Sequence, residues 1–144
     1  MNRTDGQGRR QGLWEHLYHD GALWAKCSYL DNRVHGPWEC FYHDGALMSK
    51  GSYLDGERHG PWEVFWSNGK LSQKGSYRDG RHHGPWETFY PDGKLHSRGS
   101  YLYGGKHGPW EFFHSNGKLR KKGSYENGRK KGLWEEHSHP SSVQ

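Results

Sequence analysis

Residues 36–57 read GPWECFYHDGALMSKGSYLDGE, and this stretch decides the fold because the chain repeats it. A short aromatic run, Asp44-Gly45, a second run ending in Ser52-Tyr53 and then Asp55-Gly56 follow one another. That is the pattern of extended segments punctuated by turns. Outward in both directions tryptophan returns every 24 residues, at Trp14, Trp38, Trp62, Trp86, Trp110 and Trp134, each followed by a glutamate. Self-similarity at a fixed period marks a repeat architecture, so a conspicuous residue is first of all a part of the repeat unit.

Asp-Gly or Asn-Gly recurs at 20–21, 44–45, 68–69, 92–93 and 116–117, and the pair suits the two central positions of a type I′ hairpin turn. A two-residue turn at Asp44-Gly45 sets Tyr42 opposite Leu47, Glu39 opposite Lys50 and Trp38 opposite Gly51. The same arithmetic pairs Glu15 with Lys26, Glu63 with Lys74, Glu87 with Arg98 and Glu111 with Lys122, a complementary cross-strand charge pair in every hairpin. Trp62, Trp86 and Trp110 fall opposite Gly75, Gly99 and Gly123, so each indole is expected to lie across a position with no side chain. Alternation places Trp38, Tyr42, Leu47 and Tyr53 on an aromatic face, with Glu39, Phe41, Lys50 and Ser52 on a mixed one. Between hairpins, turns centred on Asp55-Gly56 and on Gly56-Glu57 give registers two residues apart. The first hairpin carries a test of that choice: one register sets Cys27 beside Trp38, and sliding by two sets it opposite Cys40.

The expected architecture is all-β, an elongated single-layer antiparallel meander of tandem β-hairpin repeats with about eleven strands, on the order of 50 Å long. Residues 1–11 read as a flexible N-terminal segment, 12–136 as the repeat domain and 137–144 as a disordered tail. The end repeats begin GLW at Gly12 and Gly132 where the inner four begin GPW, as terminal units of repeat arrays tend to differ.

Composition agrees with an extended array. Only 30% of the residues are hydrophobic, while the chain has eight Trp, nine Tyr and five Phe, so aromatics must supply the buried area. No apolar run approaches the ~20 residues of a membrane span. Two cysteines without a CxxC pair or a disulfide framework point to a reducing, cytoplasmic setting. The formal charge is +5 and is concentrated late, with seven basic residues and one acid in KLRKKGSYENGRKKG, residues 118–132.

The NGK or DGK turn, the GPW or GLW strand start and the GSY before the next turn resemble the MORN repeat. They resemble most its bacterial variant, found in proteins grouped as the YwqK-type antitoxin family. The resemblance covers residues 12–136. It implies a β-hairpin array used as a binding platform without catalytic residues, with some members resembling antidotes to toxins and eukaryotic relatives associated with membranes or protein scaffolds.

No singular nucleophile, base or acid breaks the repeat, so no catalytic residue and no cofactor is expected. His35, His59, His83 and His107 occupy equivalent turns, spaced at ~9.6 Å by strand geometry, too far apart for ligands that sit ~2 Å from one zinc. No metal is expected. Trp14, Trp38, Trp62, Trp86, Trp110 and Trp134 with Gly51, Gly75, Gly99 and Gly123 read as the structural repeat. Candidate partner contacts are the surplus Trp24 and Trp66, the aromatics Tyr42 and Tyr90, and the basic Lys118, Arg120, Lys121, Lys122, Arg129, Lys130 and Lys131. Trp24 is expected on the mixed face beside the N-terminal edge. The leading function is a non-enzymatic protein-binding module, read as an antitoxin- or immunity-like inhibitor that binds a larger toxin- or effector-like protein through its aromatic and basic sheet surface. Nucleic-acid binding through the basic third and base stacking is the alternative, and an anionic membrane surface is the third reading. Open edges at the Trp14 and Trp134 strands invite homodimerisation or strand addition.

Overall fold

The computed structural model describes residues 1–138. It is one all-β sheet of strands β1 (Arg3–Thr4), β2 (Arg10–Leu17), β3 (Leu23–Leu30), β4 (Arg33–Phe41), β5 (Leu47–Leu54), β6 (Glu57–Arg58) and β7 (Gly60–Phe65). The sheet continues through β8 (Leu71–Arg78), β9 (Arg81–His82), β10 (Gly84–Phe89), β11 (Leu95–Leu102), β12 (Gly105–Phe113), β13 (Leu119–Glu126) and β14 (Arg129–Glu136). Neighbours in sequence are neighbours in space, and every pairing is antiparallel. The expected meander is present. β6 with β7, and β9 with β10, are single strands interrupted by a kink, and β1 is an addition that the repeat pattern did not contain.

The Asp-Gly and Asn-Gly turns differ from the two-residue type expected. Tyr42 N–H donates to Ala46 O and Gly45 N–H to Tyr42 O, and of the two turn residues only Gly45 has positive φ, at 93°. This is a three-residue loop, a type I turn closed by a left-handed glycine. Asp44 is chosen for its side chain, since Asp44 Oδ1 accepts the Ala46 N–H at 3.0 Å, and Asn68 does the same for Lys70 at 2.8 Å. The longer loop shifts the first pairs, so Phe41 rather than Tyr42 faces Leu47, and Leu47 joins the mixed face. A bulge at Met48 then adds one residue to the return strand and restores the register, so Glu39↔Lys50 and Trp38↔Gly51 pair as expected. The two departures cancel.

The type I′ turns lie between hairpins instead. Asp55 and Gly56 both have positive φ, 49° and 87°, as do Asp31 and Asn32, Asp79 and Gly80, Tyr103 and Gly104, and Asn127 and Gly128. Next to that turn Leu54 pairs with Glu57 and Tyr53 with Arg58, the register centred on Asp55-Gly56. Past His59 and left-handed Gly60, Lys50 pairs with Glu63, the register centred on Gly56-Glu57. Both alternatives occur, separated by a two-residue bulge, and Cys27 consequently pairs with Trp38, with Cys40 opposite Ala25. Both thiols are free and buried, and burial pushes the pKa of each upward, as suits inert packing groups.

The core is a single file of rings on one face. Tyr53, Trp62, Tyr77, Trp86, Tyr101, Trp110, Tyr125 and Trp134 alternate edge to face, with centroids between 5.0 and 6.2 Å apart. Each such pair contributes about 1 kcal/mol beyond its buried area. The glycine relation differs from expectation in direction. Trp62 pairs in register with Gly75, but its indole lies over Gly51 on the preceding strand, where an added Cβ would fall 2.2 Å from the ring. Gly75, Gly99 and Gly123 are covered likewise by Trp86, Trp110 and Trp134. The bare backbone therefore welds each hairpin to the next, and in that position Trp62, Trp86 and Trp110 are only 3–4% exposed.

At the start of the chain, β1 pairs with Arg10 and Gln11 of β2, so segment 1–11 is hydrogen-bonded to the sheet and the Trp14 strand is not its edge. At the far end His137 N–H donates to Arg120 O, extending the ladder one residue beyond β14. Residues 139–144 of the expected tail lie outside the described residues.

Candidate functional site: two faces of a repeat sheet

The mixed face carries a ladder of alternating charge. In register from strand to strand run Glu15, Lys26, Glu39, Lys50, Glu63, Lys74, Glu87, Arg98, Glu111, Lys122 and Glu135. The ion pairs close across hairpins rather than within them. Lys50 reaches Glu63 at 3.4 Å, Lys74 reaches Glu87 at 3.6 Å, Arg98 reaches Glu111 at 2.7 Å and Lys122 reaches Glu135 at 3.9 Å. A parallel row pairs Pro37, Pro61, Pro85 and Pro109 with Ser52, Ser76, Ser100 and Ser124. Together these rows border one continuous open trough of about 1630 Å³ running from β4 to β14. Half-exposed carboxylates and cations at regular spacing present polar recognition groups along its whole length.

The aromatic face is capped by cations. Arg10 lies over Trp14 and Tyr29, Arg58 over Trp62 and Tyr77, Lys106 over Trp110 and Tyr125, and Lys130 over Trp134. These positions recur with the repeat, and such contacts contribute about 0.5–1 kcal/mol each when exposed. At the equivalent position His82 sits 4.6 to 4.8 Å from the rings of Trp86, Tyr101 and Tyr77. Burial, aided by nearby Arg58, holds its pKa below the ordinary histidine value.

The candidate contact residues separate clearly. Tyr42 and Tyr90 donate their hydroxyls to Phe65 O and Phe113 O at 2.6 Å, and the Trp66 indole N–H donates to Phe89 O at 3.2 Å. Tyr18 and His114 make the same bond one repeat forward. These side chains staple each hairpin loop to its neighbour, a role readable in sequence only once a tip 23 residues away is known to be adjacent. Trp24 lies on the aromatic face, not the mixed one, because it is the bulge residue of its hairpin and a bulge turns two successive side chains to the same side. There it meets Trp38 at 6.2 Å and His16 at 5.9 Å and remains 40% exposed.

The basic third is divided between the two faces. Arg120 and Lys121 lie over Phe112 and Lys130 over Trp134, while Lys122 pairs with Glu135 and Lys131 with Glu126 at 2.6 Å. Lys118 is exposed beside its turn and Arg129 opens β14 opposite Glu126. Much of the positive charge is thereby engaged by rings and carboxylates of the sheet. Among the described residues no three His, Cys, Asp or Glu side chains are grouped so as to hold a metal ion, and no helix is long and apolar enough to cross a membrane.

A hairpin file with a ring-over-glycine weld and a polar trough defines a single-layer β-hairpin repeat array. The family model described as MORN repeat variant matches four successive units, residues 34–55, 58–79, 83–103 and 106–127, and the chain belongs to that family. No curated protein matches it. Among solved structures it is similar to the crystal structure of TarM, at 21% identity and a TM-score of 0.39, over 62% of this chain and 18% of that one. A mutant of S. aureus TarM in complex with fondaparinux, alpha-GlcNAc-glycerol and UDP gives 20% identity and a TM-score of 0.40, with the same coverage. The chain thus corresponds to 18% of the length of those structures.

Proposed function

We propose that this chain is a non-enzymatic protein-binding module whose mixed-face trough receives a segment of a larger protein. The observation that carries the reading is the trough itself, continuous across the hairpins and bordered by an alternating ladder. Such a ladder is close to charge-neutral along its length. A phosphate polymer laid there would meet a carboxylate at every second strand, whereas a polypeptide can match both signs and bond to the serines. The antitoxin-like form of this activity, inhibition of a toxin- or effector-like protein by covering it, is supported by the sequence resemblance. The buried free thiols suit the reducing cytoplasm in which such a pair would meet.

Affinity capture from native cells tests the reading, with the intact chain compared with a Glu63→Arg, Glu87→Arg variant of the trough. The expected result is a protein partner retained by the first and lost from the second, with tryptophan near-UV circular dichroism unchanged. Capture indifferent to those reversals would move binding off the trough. Oligonucleotide binding that weakens steeply with salt would replace the protein reading with a nucleic-acid one.

A further inference from the structure

The two ends of the sheet are finished differently. At the N-terminal end Asn2 acts as a pairing residue: its backbone N–H donates to Leu13 O at 2.8 Å, its side-chain amide donates to Glu15 O at 3.1 Å, and its Oδ1 accepts the Glu15 N–H at 2.8 Å. Arg3 O accepts the Trp14 indole N–H at 3.1 Å. At the C-terminal end no strand among the described residues pairs with the outer side of β14, and Leu133 there is 99% exposed. A bare strand edge of this kind is a template for another strand.

We propose that the outer edge of β14 is a self-association surface, pairing antiparallel with β14 of a second copy about a two-fold axis at Leu133. Parity narrows the register. Leu13 turns its backbone polar groups toward the preceding strand, and the equivalent Leu133 turns toward β13, so Gly132, Trp134 and Glu136 direct theirs outward. A two-fold antiparallel pair must then match outward residues with outward residues, so the axis passes through a residue rather than between two, and near the middle of β14 the choices are Gly132, Leu133 and Trp134. Charge selects among these three. The strand reads RKKGLWEE over residues 129–136, basic in its first half and acidic in its second. An axis at Leu133 sets Lys131 opposite Glu135 and Lys130 opposite Glu136 of the other copy, each twice. It also sets Trp134 opposite Gly132, repeating the tryptophan-to-glycine register of Trp110 and Gly123, and brings the two exposed Leu133 side chains together. An axis at Gly132 places Lys131 on Leu133, and one at Trp134 places Leu133 on Glu135, with the charge pairs largely lost. The charge ladder of the mixed face, ending at Glu135 in one chain, continues through Lys131 of the second.

Sedimentation equilibrium from micromolar to near-millimolar concentration, with charge reversals, tests this. The intact chain is expected to form dimers, and Lys131→Glu alone and Glu135→Lys alone are each expected to be monomeric. A mixture of the two single variants should dimerise again, because every facing pair in the mixed dimer is then opposite in sign. Register is read by cysteine substitution: Leu133→Cys should form an intermolecular disulfide on mild oxidation, whereas Lys131→Cys and Glu135→Cys should not. Near-UV circular dichroism of each variant verifies the fold. A chain monomeric throughout, dimers indifferent to both reversals, or cross-linking at 131 or 135 in preference to 133 would each overturn the proposal.

Discussion

The junction between the first two hairpins and the three junctions that follow it are built from the same repeat, but the first has a side chain where the others have a bare glycine. In the interior, Gly51, Gly75 and Gly99 leave the backbone bare, and Trp62, Trp86 and Trp110 lie flat over it, nearly fully buried. At the first junction the glycine position is Cys27, and Trp38, paired directly with it, is only partly buried. Burial there passes to smaller groups, with Ala25 at 0%, Cys27 at 2% and Tyr29 at 8% exposure, and Trp24 stands against Trp38 in a T-shaped contact. A single-layer sheet has no second layer to cover a tryptophan. It can bury one only by removing the side chain beneath it, and where that side chain remains the sheet substitutes small residues and a partly exposed aromatic pair.

Truncation should reveal this difference most strongly. Trp86→Ala is expected to cost about 4 kcal/mol and Trp38→Ala clearly less, both from urea denaturation; equal losses would mean that the two indoles are equally well packed. Exchanging the deciding residue is the next test. Gly75→Cys places a Cβ 2.3 Å from the Trp86 ring and should cost about 3 kcal/mol through overpacking. Cys27→Gly should cost about 1 kcal/mol, the lost burial of one small side chain being partly offset as Trp38 settles. A rise in Trp38 fluorescence exposure on Cys27→Gly would refute the settling.

Acid reaches both kinds of junction through their histidines. His82 in the interior and His16 at the first hairpin have depressed pKa values, burial being the main cause and the neighbouring Arg58 or Arg10 the second. A depressed histidine pKa means the unfolded chain takes up the proton first. Stability is therefore fully present above the unfolded value of about 6.5 and falls as pH drops from there toward the folded values. His82→Phe should flatten that part of a thermal-unfolding pH profile, and an unchanged profile would assign the effect elsewhere. The smallest expected effect is in the ladder, where Glu111→Gln should cost about 0.5 kcal/mol because its partner Arg98 is half exposed. A salt titration of thermal unfolding measures it.

Much of the fold and part of the site are legible in the chain. The period of Trp14 to Trp134, the opposition of Glu39 to Lys50 and of Trp62 to Gly75, and the all-β meander follow from spacing, because cross-strand register is arithmetic once a turn is located. Turn type was not legible in the same way. Asp-Gly serves a type I′ turn and a left-handed glycine loop equally well, and the bulge that separates them leaves the later pairs unchanged. The same bulge moved Trp24 to the other face, a result that alternation alone cannot foresee. The staples from Tyr42, Trp66 and Tyr90 were hidden because each polar tip bonds to a backbone carbonyl, and any residue supplies one.

By itself the sequence determined the repeat, the family it belongs to, the strand order and the pairs that lie beyond the loop bulges, since these depend on local turn chemistry and on periodicity along one chain. Only the tertiary structure decided which glycine each indole covers, which glutamate each lysine reaches, which end of the sheet is capped and where the trough opens. Those depend on how one hairpin meets the next, where the pairing shifts by two residues around His59 and its equivalents, a matter of backbone register rather than of any side chain the sequence displays.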